Sequence, residues 1–151
     1  MVTTRESSPK TDRVNGGDFK RILVAVDGSE NSTRATAAAV PIAEKYGAEI
    51  LVLNVILGRA YDQFKTVAEK KAREIVDREV ELARSRGVKA RWEVLPSAES
   101  IVGQIVDYAD REKADLIVMG SRGLGGFKRM VIGSVSSGVV THARCPVLVV
   151  R

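Results

Sequence analysis

The residues best equipped for chemistry in this 151-residue chain crowd into one stretch, GSRGLGGFKRMVIGS at 120–134. Gly120, Gly123, Gly125, Gly126 and Gly133 lie there with Arg122, Lys128 and Arg129. Glycine costs backbone entropy on folding, so a run of it needs a reason. It reaches positive φ and lets backbone amides approach a ligand with no Cβ in between. Successive inward-facing amides make an anion nest. The stretch runs into GSVSS, where a helix is predicted to begin. A helix start presents unsatisfied N–H groups and about half a unit of positive charge. Ser134 and Ser136 add hydroxyls, and Arg122, Lys128 or Arg129 could add charge-assisted contacts. The chemistry this suits is the binding of a polyphosphate.

A second candidate is Asp27, the acid that closes the apolar run RILVAVD at 21–27. In open α/β sheets, ligands bind beyond the carboxyl ends of the strands, where this acid falls. The standard nucleotide loops are absent. No glycine precedes a lysine anywhere, so there is no GxxxxGK[ST], and GLGGFK fails the last position of GxGxxG. The single histidine, His142, has no second histidine or nucleophile to work with. The single cysteine, Cys145, excludes an internal disulfide and any CxxC site. Both read as structural, as do Trp92 and Tyr108.

The whole net charge of +5 falls after Asp115, where Arg122, Lys128, Arg129, Arg144 and Arg151 meet no acid. Such a basic region suits nucleic acid, a phosphate ligand or plain solvation. Aromatic content of 5% argues against a base-stacking platform, and much of the charge lies in the glycine loop itself.

The elements that must position these residues follow from periodicity. Residues 1–18 are polar and aperiodic and read as a disordered tail ahead of one domain at 19–151. RILVAVD (21–27), AEILVLNVI (48–56), VKARWEVL (88–95), ADLIVMG (114–120) and CPVLVV (145–150) read as strands. Helical spacing is predicted over 28–47, 61–86, 97–113 and 134–143. Gly47 and Gly87 act as stops, and Ser97 with Ser100 forms an imperfect capping box. Pro41 predicts a kink or two short pieces in the first helix. Strands alternating with helices give an α/β fold with a parallel sheet and right-handed crossovers. DGSENS (27–32) and the glycine loop then meet at its carboxyl edge.

The spacing Gly120-x2-Gly123-x9-Gly133-Ser134, taken with VAVDGSENS, DLIVMGSRG and the terminal CPVLVV, closely resembles the universal stress protein family. The resemblance covers about residues 19–151. It implies a single-domain, five-stranded parallel sheet in order 3-2-1-4-5 with helices on both faces, Rossmann-like and similar to the adenine nucleotide alpha hydrolases. It also implies ATP binding. Carried over by position, Ala25, Val26 and Asp27 lie near ribose and adenine, and Val55 against adenine. Met119, Gly120, Arg122 and Gly123 border the ribose and phosphates. Gly133, Ser134, Val135 and Ser136 hold the phosphates, with Mg²⁺ or Mn²⁺. Leu95 stands before Pro96 where the family often has glycine, which bears on the local turn.

The function this implies is a nucleotide-dependent regulatory or stress-response module with at most slow hydrolysis, since no base stands beside Asp27. The alternative is a slow ATPase or phosphotransferase using the same site. An adenylating enzyme of similar architecture lacks its SGGxDS and HIGH motifs here. The family's usual dimer implies a homodimer through the last strand, Val147–Val150. An apolar edge strand tends to be paired or covered in any case. The N-terminus has no apolar stretch of a signal peptide, and no run approaches the ~20 residues of a membrane span, so the expected location is the cytoplasm.

Overall fold

A computed structural model describes residues 18–97, 99–123 and 132–151, with the backbone alone for 59–64. Strands β1 (Arg21–Ala25), β2 (Glu49–Leu57), β3 (Ala90–Ser97), β4 (Leu116–Gly120) and β5 (Val147–Val150) alternate with helices α1 (Glu30–Tyr46), α2 (Gly58–Ser85), α3 (Ile101–Arg111) and α4 (Ser134–His142). The strands form one sheet in the order β3-β2-β1-β4-β5, and every pairing is parallel.

The alternation of side chains along β1 explains why its sequence reads as a continuous apolar run. Ile22 and Val24 enter one core with Ala35, Ala39 and Ala43 of α1 and Val76 and Val80 of α2. Leu23 enters the other, with Ile105, Tyr108 and Ala109 of α3 and Val139 of α4. A strand covered on both faces has no polar side to show. Helices α1 and α2 therefore cover one face, and α3 and α4 the other.

Two local expectations change. Pro41 lies inside α1, which runs as one helix and not as two short pieces. Pro41 and Ala37, whose carbonyl loses its i+4 donor, are both exposed, so water can serve that carbonyl. The cap of α3 is Ser100, whose Oγ accepts from Gly103 N at 3.0 Å. Ser97 is the buried last residue of β3 and takes no part in a capping box. Along α2, Ala72, Val76, Val80 and Ala83 are buried, whereas Val67 is 66% exposed. Gly47 and Gly87 do end their helices, at φ of 65° and 76°, which a side chain rarely adopts.

Candidate functional site

β1 ends at Ala25, so Asp27 stands beyond the strand in the turn to α1. That turn is built by short polar side chains. Asp27 Oδ1 accepts from Ser29 N at 2.9 Å. Ser29 Oγ accepts from Ser32 N at 3.2 Å and caps α1. Ser32 Oγ donates to Ser29 O at 2.9 Å. Gly28, at φ 87°, turns the chain between them, and a Cβ there would come within 2.8 Å of Ile75 Cδ1.

β4 delivers the second loop to the same edge. A Cβ on Gly120 would lie 2.8 Å from Asn31 Cβ and 2.9 Å from the Asn31 carbonyl carbon. Glycine here lets the end of β4 press against the first turn of α1. A Cβ on Gly123 would run into Asp27 Oδ2, so the two loops touch at those residues. Ser121 N donates to Val150 O at 2.7 Å, and Gly133 N donates to Ser121 O at 2.5 Å, which closes the base of the glycine loop.

Helix α4 starts where that loop returns. Its N-cap is Gly133, with no side-chain cap bond. The first intrahelical bond is Ser137 N to Gly133 O at 2.9 Å. The amides of Ser134, Val135 and Ser136 precede it and have no acceptor within the helix. The Ser136 hydroxyl is already engaged: it is buried and donates to Gly120 O at 2.7 Å. Ser136 thus offers the site its amide, while its hydroxyl braces the end of β4.

These segments enclose one cavity of about 580 Å³ at the carboxyl edge of the sheet. Ala25, Val26, Asp27, Val55, Met119, Gly120, Arg122, Gly123, Gly133, Ser134, Val135 and Ser136 all line it. The structure therefore brings these twelve candidate site residues together. Lys128 and Arg129 lie outside the described residues, as do Gly125 and Gly126. Six further residues line the cavity: Ser29, Ser32, Leu53, Leu57, Ile101 and Ile105. The two serines belong to DGSENS, which the sequence brings to the carboxyl edge without marking either as a lining residue. Leu53, Ile101 and Ile105 read as members of apolar runs, in which nothing marks the ones that stand at an open end, and Leu57 fell just past the predicted strand 48–56.

The cavity has two characters. Leu53, Val55, Leu57, Ile101 and Ile105 supply an apolar wall. Among the described lining residues, Asp27 is the only acid and Arg122 the only base. Among the described residues no group of three or more His, Cys, Asp or Glu side chains could hold a metal by itself. None of the described helices is long and apolar enough to cross a membrane.

The model of the universal stress protein family matches residues 18–151. A universal stress protein of Methanocaldococcus jannaschii is 32% identical over 142 residues, covering 88% of this chain and 82% of its own. Among solved structures, a universal stress protein from Archaeoglobus fulgidus in complex with dAMP superposes with a TM-score of 0.72 at 26% identity, covering 89% of this chain and 100% of its own. A universal stress protein in complex with cAMP gives 0.69 at 25% identity, covering 89% and 98%.

Proposed function

The chain belongs to the universal stress protein family, and from that premise we propose that it is a cytoplasmic ATP-binding module whose nucleotide state sets its interactions. The observation that carries this reading is the meeting of an apolar wall, one carboxylate and an uncapped helix start on a single cavity. The volume of about 580 Å³ suits a small-molecule site. Adenine would lie against Leu53, Val55, Leu57, Ile101 and Ile105. Asp27 would accept from a ribose hydroxyl. The amides of Ser134, Val135 and Ser136 and the backbone at Gly123 would take the phosphates, with Arg122 adding charge. The dAMP and cAMP complexes of the similar proteins support an adenine nucleotide here.

Mg²⁺ or Mn²⁺ would be held by the phosphates, with Asp27 as the only carboxylate among the described lining residues. Magnesium commonly binds in this way, through one or two carboxylates and the substrate's own phosphates. Hydrolysis would be slow at most. A dedicated hydrolase orients its water with a placed base, and Asp27 has one carboxylate oxygen bonded to the Ser29 amide. We also propose a homodimer through β5, an edge strand whose Leu148 is 38% exposed. A monomer at micromolar concentration in sizing would refute the dimer.

Calorimetric titration with ATP and Mg²⁺, repeated with GTP, tests the main reading. Micromolar ATP binding, weak GTP binding and loss of both in Gly123→Val/Gly133→Val are expected. A folded wild-type protein that binds no adenine nucleotide refutes it.

A further inference from the structure

One buried polar side chain lies in the middle of β2. Asn54 interrupts the apolar run ILVLNVI, and only 7% of its surface is exposed. Its Nδ2 donates to the Val26 carbonyl at 2.8 Å. That contact falls where two neighbouring strands part.

The ladder between β1 and β2 runs from Arg21–Glu49 to Ala25–Leu53. Val26 N still donates to Leu53 O at 2.9 Å. The next bond of a parallel ladder would run from Val55 N to Val26 O, because each residue bonds the neighbours on either side of its partner. The Val26–Asn54 pair that this bond would complete is absent from the register. Asn54 Nδ2 takes its place on Val26 O. A buried carbonyl needs a donor, and the side chain supplies one that the partner strand's backbone would otherwise give. Among the described residues Val55 N has no backbone acceptor.

Val55 N–H and C=O point to the same side of β2 as those of Leu53, two residues earlier. That side is the gap left by β1, and Val55 lines the cavity there. We infer that Asn54 is a positioning residue: by occupying Val26 O it holds the fork between β1 and β2 open and leaves the Val55 backbone free to hydrogen-bond the edge of a bound heterocyclic base. Asn54 does not touch the ligand. It acts through Val26 and Val55, at the base end of the cavity, away from the amides of α4. The inference about the ligand rests on the nucleotide reading above; the inference about the fork does not.

The fork is read by amide hydrogen exchange in the ligand-free protein, and the base end by calorimetry with adenosine and, separately, inorganic tripolyphosphate. In wild type the Val55 amide exchanges at least tenfold faster than the ladder amide of Leu53. In Asn54→Leu, Val26 O pairs with the Val55 amide as the ladder register directs, so Val55 exchange slows at least tenfold. Adenosine affinity then falls at least tenfold, while tripolyphosphate affinity moves less than twofold. A folded Asn54→Leu with Val55 exchange at the wild-type rate overturns the inference, and so does an equal loss of both ligands. If Asn54→Leu does not fold, Asn54→Asp decides. Its ionised carboxylate cannot donate to Val26 O, but its protonated form can. Adenosine affinity in Asn54→Asp should recover from about pH 8 to about pH 5, as a buried carboxyl takes up its proton. A flat profile overturns the inference. Slowed Val55 exchange in Asn54→Leu, beside a wild type that binds neither adenosine nor ATP, upholds the fork and refutes the nucleotide reading.

Discussion

At the amino edge of the sheet, Asp115 Oδ2 accepts from Lys20 N at 2.8 Å and Arg21 N at 2.9 Å. Arg21 Nη1 donates to Glu112 O at 2.8 Å. Arg91, at the start of β3, reaches Glu112 Oε2 at 2.7 Å and Glu49 Oε1 at 3.2 Å. Loose backbone ends there are tied by the chain's own side chains. At the carboxyl edge the ties are selective. Ser29 caps α1 and Ser100 caps α3, but Gly133 leaves α4 without a side-chain cap. One edge of the sheet spends its polar groups on the fold, and the other keeps a set of amides in reserve. On this reading, changes at the amino edge should cost stability and spare binding. Changes at the carboxyl edge should do the reverse.

The largest expected effect is at Gly123. A valine there forces its side chain against Asp27 Oδ2 and parts the two loops. ATP affinity should fall at least 100-fold, about 2.7 kcal/mol. The melting temperature should move by no more than a few degrees, since Gly123 is exposed and lies outside both cores. Calorimetry beside a thermal melt checks both halves. A large loss of stability with binding intact would erase the contrast between the edges.

Ser100→Ala comes next, and it blurs the contrast on purpose. Losing the cap should cost about 1 kcal/mol of stability. The first turn of α3 also carries Ile101 into the cavity wall, so a several-fold loss of affinity should accompany it. Arg91→Ala is the clean counterpart at the amino edge. Both of its ion pairs are lost, at a cost of about 1 kcal/mol for a partly exposed network, or roughly 3 °C in a domain of this size. ATP affinity should stay within twofold.

Much of this division was legible in the sequence because apolar runs and glycine spacing are local signals. β1, β2, β4 and β5 read as strands from runs such as ILVA and LIVM, and the sheet order followed from the family resemblance. Gly120, Gly123 and Gly133 mark themselves, since backbone that must pass close to another group excludes a Cβ. Leu53, Leu57, Ile101 and Ile105 did not, because an apolar residue over a cavity has the same composition as one in a core. Asn54 went unread for a related reason. Its role depends on where β1 stops, and that depends on contacts between strands 28 residues apart in the chain. Ser97 and Ser100 both suit a cap, and only the length of β3 decides between them.

The smallest effect separates the edges by pH. The Arg91 guanidinium, through its hydrogen bond, holds the Glu112 carboxyl below the ordinary carboxylate range, against a smaller opposing effect of burial. A carboxyl whose folded value is depressed contributes stability above its unfolded value, about 4.3, and loses it as pH falls through the folded one. Wild-type stability should therefore drop on acidification below about pH 4 in part through this one group. Glu112→Gln keeps the shape but has no proton to gain. It should start less stable near neutral pH by a few tenths to about 1 kcal/mol. The gap should then close as acid protonates the wild-type carboxyl. Denaturant melts of the two proteins across that range test the sign. Curves that stay parallel into acid would mean that Glu112 contributes to the amino edge by packing alone, and that the ties there act through neutral hydrogen bonds such as Arg21 to the Glu112 carbonyl.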